Sequence, residues 1–262
     1  MTGSPTIRAL PRAQAGISLI ELMVAMVIGL MLVLMVTSYL ISSRQSYQTS
    51  MANVDVQDAR RFALSVVQQQ LWMTGYSDSW EDFDVTFPAY DGSHSEVPNF
   101  ATAQLVASTE DGDVWVRYRA PELTNQPLTH CDGTNFARSA TGDDDSIAMT
   151  RLYLDGHTLR CKVYFSDGGD PHNSLPLLND VDALQWRYLD DSDQWQVQSS
   201  VKDWHSIKAI QMQLILASSE STGSRFEQQF TWGDATVSFD DGKARSLVSL
   251  TTALRNLPEA AQ

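Results

Sequence analysis

Near the N-terminus, Gly16-Ile17-Ser18-Leu19-Ile20-Glu21 places a glycine and a carboxylate five positions apart, at the entry to a long apolar run. A carboxylate there is suited to holding a positive charge, and Glu21 lies one helical turn beyond Ile17, on the same face. Cys131 and Cys161 are the two cysteines. They can form a disulfide, remain free thiols, or join His130 and His157 in a zinc set, although the spacing matches no compact C-x-x-C module. Asp143-Asp144-Asp145 and Asp190-Asp191-Ser192-Asp193 suggest calcium, but both lack the alternating ligands and terminal Glu of an EF-hand and read as solvated turns. There is no G-x-S-x-G, G-x-G-x-x-G, Walker A loop or H-E-x-x-H, and the five histidines are dispersed. The expectation is a protein that is not an enzyme and has no cofactor, no metal and no catalytic residue.

The elements that must position these residues begin with the apolar run. Ile17 to Ile41 is 25 residues with Glu21 its single charge. As a helix it would span roughly 37 Å, against about 30 Å for a bilayer core. A secretory signal has a shorter apolar region followed by a small-residue cleavage site. Here the small residues Ala13 to Gly16 precede the run, so a cut there leaves the helix on the mature chain. Arg8 and Arg12 before it and Arg44, Arg60 and Arg61 after it leave orientation open. The chain as a whole has 262 residues, 32 Asp plus Glu against 18 Lys plus Arg, and a formal charge of −14. Such acidity argues against nucleic acid as a partner, because phosphate contacts need Lys and Arg.

The glycine, the glutamate and the helix, after a short basic leader, resemble the type IV prepilin signal. The resemblance implies that a prepilin peptidase cuts between Gly16 and Ile17 and methylates the new N-terminus at Ile17. It also implies that Glu21 is a subunit-assembly residue meeting a neighbour's N-terminal amine. A charge at the centre of a membrane helix costs about 2.5–3.5 kcal/mol, and the amine created by cleavage is a partner of the right sign. Carboxylates in a first helical turn also complement the helix dipole on their own. Ile17 and Ser18-Leu19 replace residues commoner in the family.

Beyond the membrane, Ala52, Val56, Ala59, Ala63, Val66 or Val67, and Leu71 recur at three- and four-residue steps. Gln57, Asp58, Arg60, Arg61, Gln68 and Gln69 fall on the opposite face, and Gly75 is a C-terminal stop. The spacing predicts one helix from about Ile17 to Thr74, with "SSRQS" (Ser42 to Ser46) as the alternative break. The family's kink-forming proline would fall at Ser38, leaving Gly29 as the weak point. After Gly75 short alternating runs predict antiparallel strands, with a hairpin at Asp155-Gly156 and another at Asp190 to Asp193. Val114, Val116 and Tyr118 share one strand face, Trp186, Trp195 and Trp204 sit in strands, and residues 76–100 and 120–145 read as long loops. The fold class is α+β and pilin-like, with one long N-terminal helix packed on an antiparallel sheet. The expected parts are a leader at 1–16, a transmembrane half-helix at 17–41, an amphipathic half at 42–75 and a β-rich domain at 76–262.

"DVQDARRFALSVVQQQLWMTGY" (Asp55 to Tyr76), the ending "TTALRNLP" (Thr251 to Pro258) and the length resemble PilW-type minor pilins. That implies a subunit of a type IV pilus acting in its initiation or tip complex, in motility or adhesion. Its implied partners are prepilin peptidase, other minor and major pilins, an inner-membrane assembly platform, and membrane lipid before assembly. The globular domain would lie in the periplasm, where Cys131 and Cys161 can oxidise. A J-type pseudopilin of type II secretion shares this plan. A single-pass periplasmic binding module or adhesin is the alternative outside the pilin class, and a tethered enzyme a third.

Overall fold

The computed structural model describes residues 16, 18–77, 82–92, 94–109, 112–119, 129–134, 147–168, 170–222, 227–233 and 235–258. Residues 1–15 of the leader, Ile17, most of 120–145 and the acidic run Asp143 to Asp145 lie outside the described residues. The chain divides into two compact units, 1–47 and 48–262. One element, helix α1 (Leu19–Met73), enters both and runs without interruption through 42–46. Serine costs about 0.5 kcal/mol in a helix interior, and this stretch holds no proline or glycine to break the helix.

In the first unit every large apolar side chain from Leu19 to Ile41 is exposed. No face is selected, which is the pattern of a helix meant for lipid rather than for one side of a core. The hydroxyl of Thr37 donates to the Val33 carbonyl at 2.8 Å, so it needs no outside partner.

In the second unit α1 becomes one-sided. Ala52, Val56, Ala63, Val67 and Leu71 are buried, Ala59 is half-buried, and Gln57, Asp58, Arg60 and Arg61 are exposed. The helix ends where Gly75 adopts φ +70° and gives its N–H to the Arg117 carbonyl at 2.9 Å. A Cβ on Gly75 would stand 2.6 Å from Leu105 Cδ1 and also strike the Asn256 carbonyl. Asn256 returns from the far end of the chain to donate its side-chain amide to the carbonyls of Trp72 (3.1 Å) and Thr74 (3.0 Å). Those are among the carbonyls that the last turn of a helix leaves without a partner. Arg255 stacks on the Trp72 ring at 4.1 Å.

Among the described residues eleven strands follow the helix. The first sheet has the order β1-β2-β3-β4-β5 and contains β1 (Val106–Ala107), β2 (Val114–Arg119), β3 (Ile147–Asp155), β4 (Thr158–Phe165) and β5 (Leu175–Leu178). The second has the order β11-β8-β6-β7, with β6 (Val181–Leu189), β7 (Trp195–Val197), β8 (Ala209–Ser221) and β11 (Lys243–Ala253). Strands β9 (Gln228–Trp232) and β10 (Ala235–Phe239) form a separate hairpin, and all pairings are antiparallel. The main core joins Val67 and Leu71 of α1 to Val116 and Leu152 of the first sheet and Met212, Leu214 and Val248 of the second. The β3–β4 turn is tight: Asp155 pairs with Thr158, and Gly156, the first turn residue, takes φ +60°.

Two expectations change. Strand β2 is buried on both faces, because residues 83–104 fold over its outer side. The stretch read as a long loop holds a short helix α2 (Phe83–Thr86) and a Tyr90–Phe100 bridge. Tyr90, Phe100, Trp115, Met149 and Tyr164 make a second small core there. Trp204 lies in a short 3-10 turn, not a strand, packed edge-on against Tyr188 at 4.9 Å, while Trp186 and Trp195 are in strands.

Replacing Asn256 by Ala should lower the stability of the detergent-solubilised protein by about 1–3 kcal/mol, since two carbonyls lose their donor. Thermal unfolding followed by circular dichroism measures this, and Gly75→Ala should cost more, because it adds both a left-handed alanine and a clash.

Candidate assembly surface and the disulfide-anchored loop

The N-terminal motif is built by the start of α1. The Ser18 carbonyl accepts the N–H of Leu22 at 3.1 Å, which opens the helical ladder, and Glu21 stands in the first turn. Gly16 is exposed, and among the described residues nothing lies within 4 Å of an added Cβ there. Ile17 is outside the described residues, so only the Gly16 side of the expected cut is seen. Glu21 is exposed and begins a surface on which Leu19 is 76% and Met35 67% accessible. Burying such side chains is worth about 1.5–3 kcal/mol each. This surface therefore belongs in lipid or against other helices.

In the second unit, Cys131 and Cys161 are joined in a disulfide, with Cα atoms 6.2 Å apart. It ties the turn His130–Thr134 to the middle of β4. His130 is buried and its Nδ1 lies 2.9 Å from the Tyr118 hydroxyl, which in turn lies 3.0 Å from the Thr150 hydroxyl. Burial, helped by the neighbouring His172 and opposed by Asp132, holds the His130 pKa down at about 4. Asp132 holds the other side of the turn. Burial raises its pKa, but hydrogen bonds from the Thr134 hydroxyl (2.6 Å), the Thr134 amide (2.9 Å) and His172 (2.6 Å) outweigh this and leave it lowered.

The zinc alternative loses both thiolates to the disulfide. His157 sits on the β3–β4 turn with Nδ1 3.2 Å from the Val181 carbonyl, and His130 is taken by Tyr118. Among the described residues, no group of three or more His, Cys, Asp or Glu side chains is placed to hold a metal. Asp190 is committed to its own hairpin: Oδ1 accepts from the amides of Ser192 (3.0 Å) and Gln194 (2.9 Å), and Oδ2 from Gln196. Asp193 pairs with Lys208 at 3.0 Å.

Three anchors were not read from the sequence. Arg117 is buried and donates to the carbonyls of Gln104, Pro88 (2.7 Å), Phe87 (3.1 Å) and Ala101 (2.9 Å), with its guanidinium 5.0 Å from the Phe100 ring. Burial lowers its pKa to about 10, so it stays charged at neutral pH and gathers the covering segment onto β2. Asp113 is buried and accepts from Trp115 Nε1 (2.8 Å), the Thr109 amide (2.7 Å) and Arg151 Nε (2.6 Å). The third is Asn256. The sequence signal for Arg117 was its place between Val116 and Tyr118, inside a strand otherwise mostly apolar or aromatic.

Residues 146–256 match the family model described as Type IV Pilus-assembly protein W, and residues 11–37 match the prokaryotic N-terminal methylation motif. A type IV-like pilin from Thermus thermophilus is 15% identical, covers 78% of this chain and 97% of its own, and has a TM-score of 0.49. No curated protein matches the chain. The two family-model matches support a type IV prepilin-like protein of the PilW type. They support a minor pilin of a type IV pilus, and the apolar start of α1 with the methylation motif points to membrane anchoring and association with other pilus components.

Replacing both cysteines by serine should cost roughly 3–4 kcal/mol, from the loop of about 30 residues closed in the unfolded chain. The intact mass of the native protein should rise by about two daltons on reduction, as two thiols form. His130 contributes to the pH response. Between pH about 6.5 and about 4 the unfolded histidine is charged while the folded one is neutral, so the unfolded state binds more protons and stability falls as pH falls. Urea midpoints measured across that window should decline on acidification, and His130→Gln should flatten the slope.

Proposed function

We propose that the protein is inserted with its globular part in the periplasm and cut after Gly16 by prepilin peptidase. The new amine of Ile17 is methylated, and the protein joins an initiation or tip complex with other minor and major pilins on the inner-membrane assembly platform. The observation that carries this reading is a helix exposed on every side from Leu19 to Ile41, entered through an open glycine and bearing one carboxylate in its first turn. In the precursor that surface faces lipid. In the filament it faces other helices, and Glu21 meets the amine of a neighbouring subunit, where a desolvated pair of opposite charges favours one axial register over others.

The disulfide supports the periplasmic orientation, since such bonds persist in oxidising compartments. The globular part acts by binding and not by catalysis: the buried polar groups described above are engaged in holding turns and strands. The match at 146–256 supports the pilus over the type II secretion pseudopilin.

Co-expression with prepilin peptidase, followed by mass spectrometry of the mature N-terminus, tests the processing step. The expected product begins at methylated Ile17, and an intact leader or a cut elsewhere refutes it. Glu21→Ala should be processed normally yet enter filaments at least tenfold less, whereas replacing Gly16 by a bulky residue should block processing.

A further inference from the structure

Strand β11 is one edge of the second sheet, and its outer side is unusually bare. Its partner is β8 alone, in register from Arg245–Ala217 to Ala253–Ala209. Antiparallel pairing sends the backbone groups of alternate residues to opposite sides. The parity here follows from the hydrogen bonds at the start of the strand. The Arg245 N–H donates outward to Gln228 Oε1 at 3.1 Å, and the Lys243 carbonyl accepts from Gln228 Nε2 at 2.5 Å. The Ala244 N–H turns the other way, to Ser218 Oγ at 3.0 Å. Leu247, Ser249, Thr251 and Ala253 therefore direct their N–H and C=O groups away from β8. Among the described residues none of these groups has a partner, and all four side chains are exposed.

Exposed edges are normally blunted by a lysine, a proline, a bulge or a covering element. The single irregularity of β11 lies at Lys243/Arg245, before this stretch. From Ser246 to Ala253 the sequence is Ser-Leu-Val-Ser-Leu-Thr-Thr-Ala, with no charge and no proline. The side-chain amide of Gln228 already imitates a neighbouring strand at one end, which shows the edge can take an amide partner.

A second observation gives the partner a charge. Beside the start of β11 lies an open groove between that strand and α1, lined by Asn53, Gln57, Arg60, Arg61, Arg245 and Ser246. Arg245 is neutralised by Asp182 and Asp241, each at 2.6 Å. Arg60 and Arg61 are exposed and, among the described residues, have no ion-pair partner, in a chain whose formal charge is −14. Two free cations flanking an uncharged strand edge complement an extended segment with a carboxylate at one end.

We infer that β11 and this groove form a docking site for an extended, acid-flanked segment of another pilus subunit, which adds to the second sheet as a fifth strand. The inference rests on the pilin reading above and specifies how the globular part would hold a neighbour. The backbone ladder supplies the attachment, and Arg60 and Arg61 set which end of the segment lies beside α1.

Amide hydrogen exchange on the full-length processed protein tests this, alone in detergent and then mixed with the purified major and minor pilins of the same pilus. Alone, the amides of Leu247, Ser249, Thr251 and Ala253 should exchange fast while those of Val248, Leu250 and Thr252 exchange slowly. In the complex, the first set should slow at least tenfold. Ser249→Pro removes an outward N–H without touching the bonds to β8 and should lose the complex while keeping the isolated protein's melting temperature within a few degrees. Arg60→Glu with Arg61→Glu should weaken the complex at least tenfold, and Arg60→Lys with Arg61→Lys should restore it. A complex in which those four amides still exchange fast overturns the inference and leaves the pilin reading intact, as does slow exchange at them in the isolated protein. Failure to form any complex with any of the pilins overturns both.

Discussion

The structure depends on one helix having to satisfy two environments in succession. From Leu19 to Ile41 the side chains of α1 are apolar on every face and all exposed, so that stretch is compatible with lipid or with other helices but not with water. From Ala52 to Leu71 the same helix buries one face only, in a core shared with both sheets. The change of pattern, with no proline between Pro11 and Pro88 to interrupt the backbone, lets one helix supply an apolar anchor surface in its first part and a core face in its second.

Once the second half of α1 is committed to the core, its C-terminus becomes a place where carbonyls must be satisfied. The chain meets that need from two directions. Gly75 turns left-handed and bonds to β2 through the Arg117 carbonyl, and Asn256 comes back after β11 to hold Trp72 and Thr74. The start and the end of the globular unit are thereby tied at one point. Arg117 works from the same strand in the other direction, drawing carbonyls of the segment 87–104 onto the outer face of β2. A buried guanidinium is costly unless its donors are taken, and here backbone carbonyls take them, without a carboxylate.

The turn His130–Thr134 is held differently. It has few apolar side chains to bury, and its attachment is covalent and polar: the disulfide to β4, the Tyr118–His130 contact and the Asp132–His172 pair. Where the apolar packing is dense the chain needs no staple. Where a turn must stand on the sheet with little apolar area, cross-links replace burial.

What the sequence determined by itself is what depends on local pattern. The apolar run, the one-sided helix after it, the Asp155-Gly156 turn and the alternating strands were all legible, because hydrophobic period and turn chemistry act within a few residues of each other. The motif at Gly16 to Glu21 was legible for the same reason. The tertiary structure alone decided that residues 83–104 cover β2 rather than project as a loop, that Trp204 leaves the sheet, that Asn256 closes a helix 182 residues before it, and that β11 stands at an edge instead of between neighbours. Each of these depends on which surfaces meet across long stretches of chain. A carbonyl without a partner or a strand without a neighbour leaves no mark on the local order of residue types.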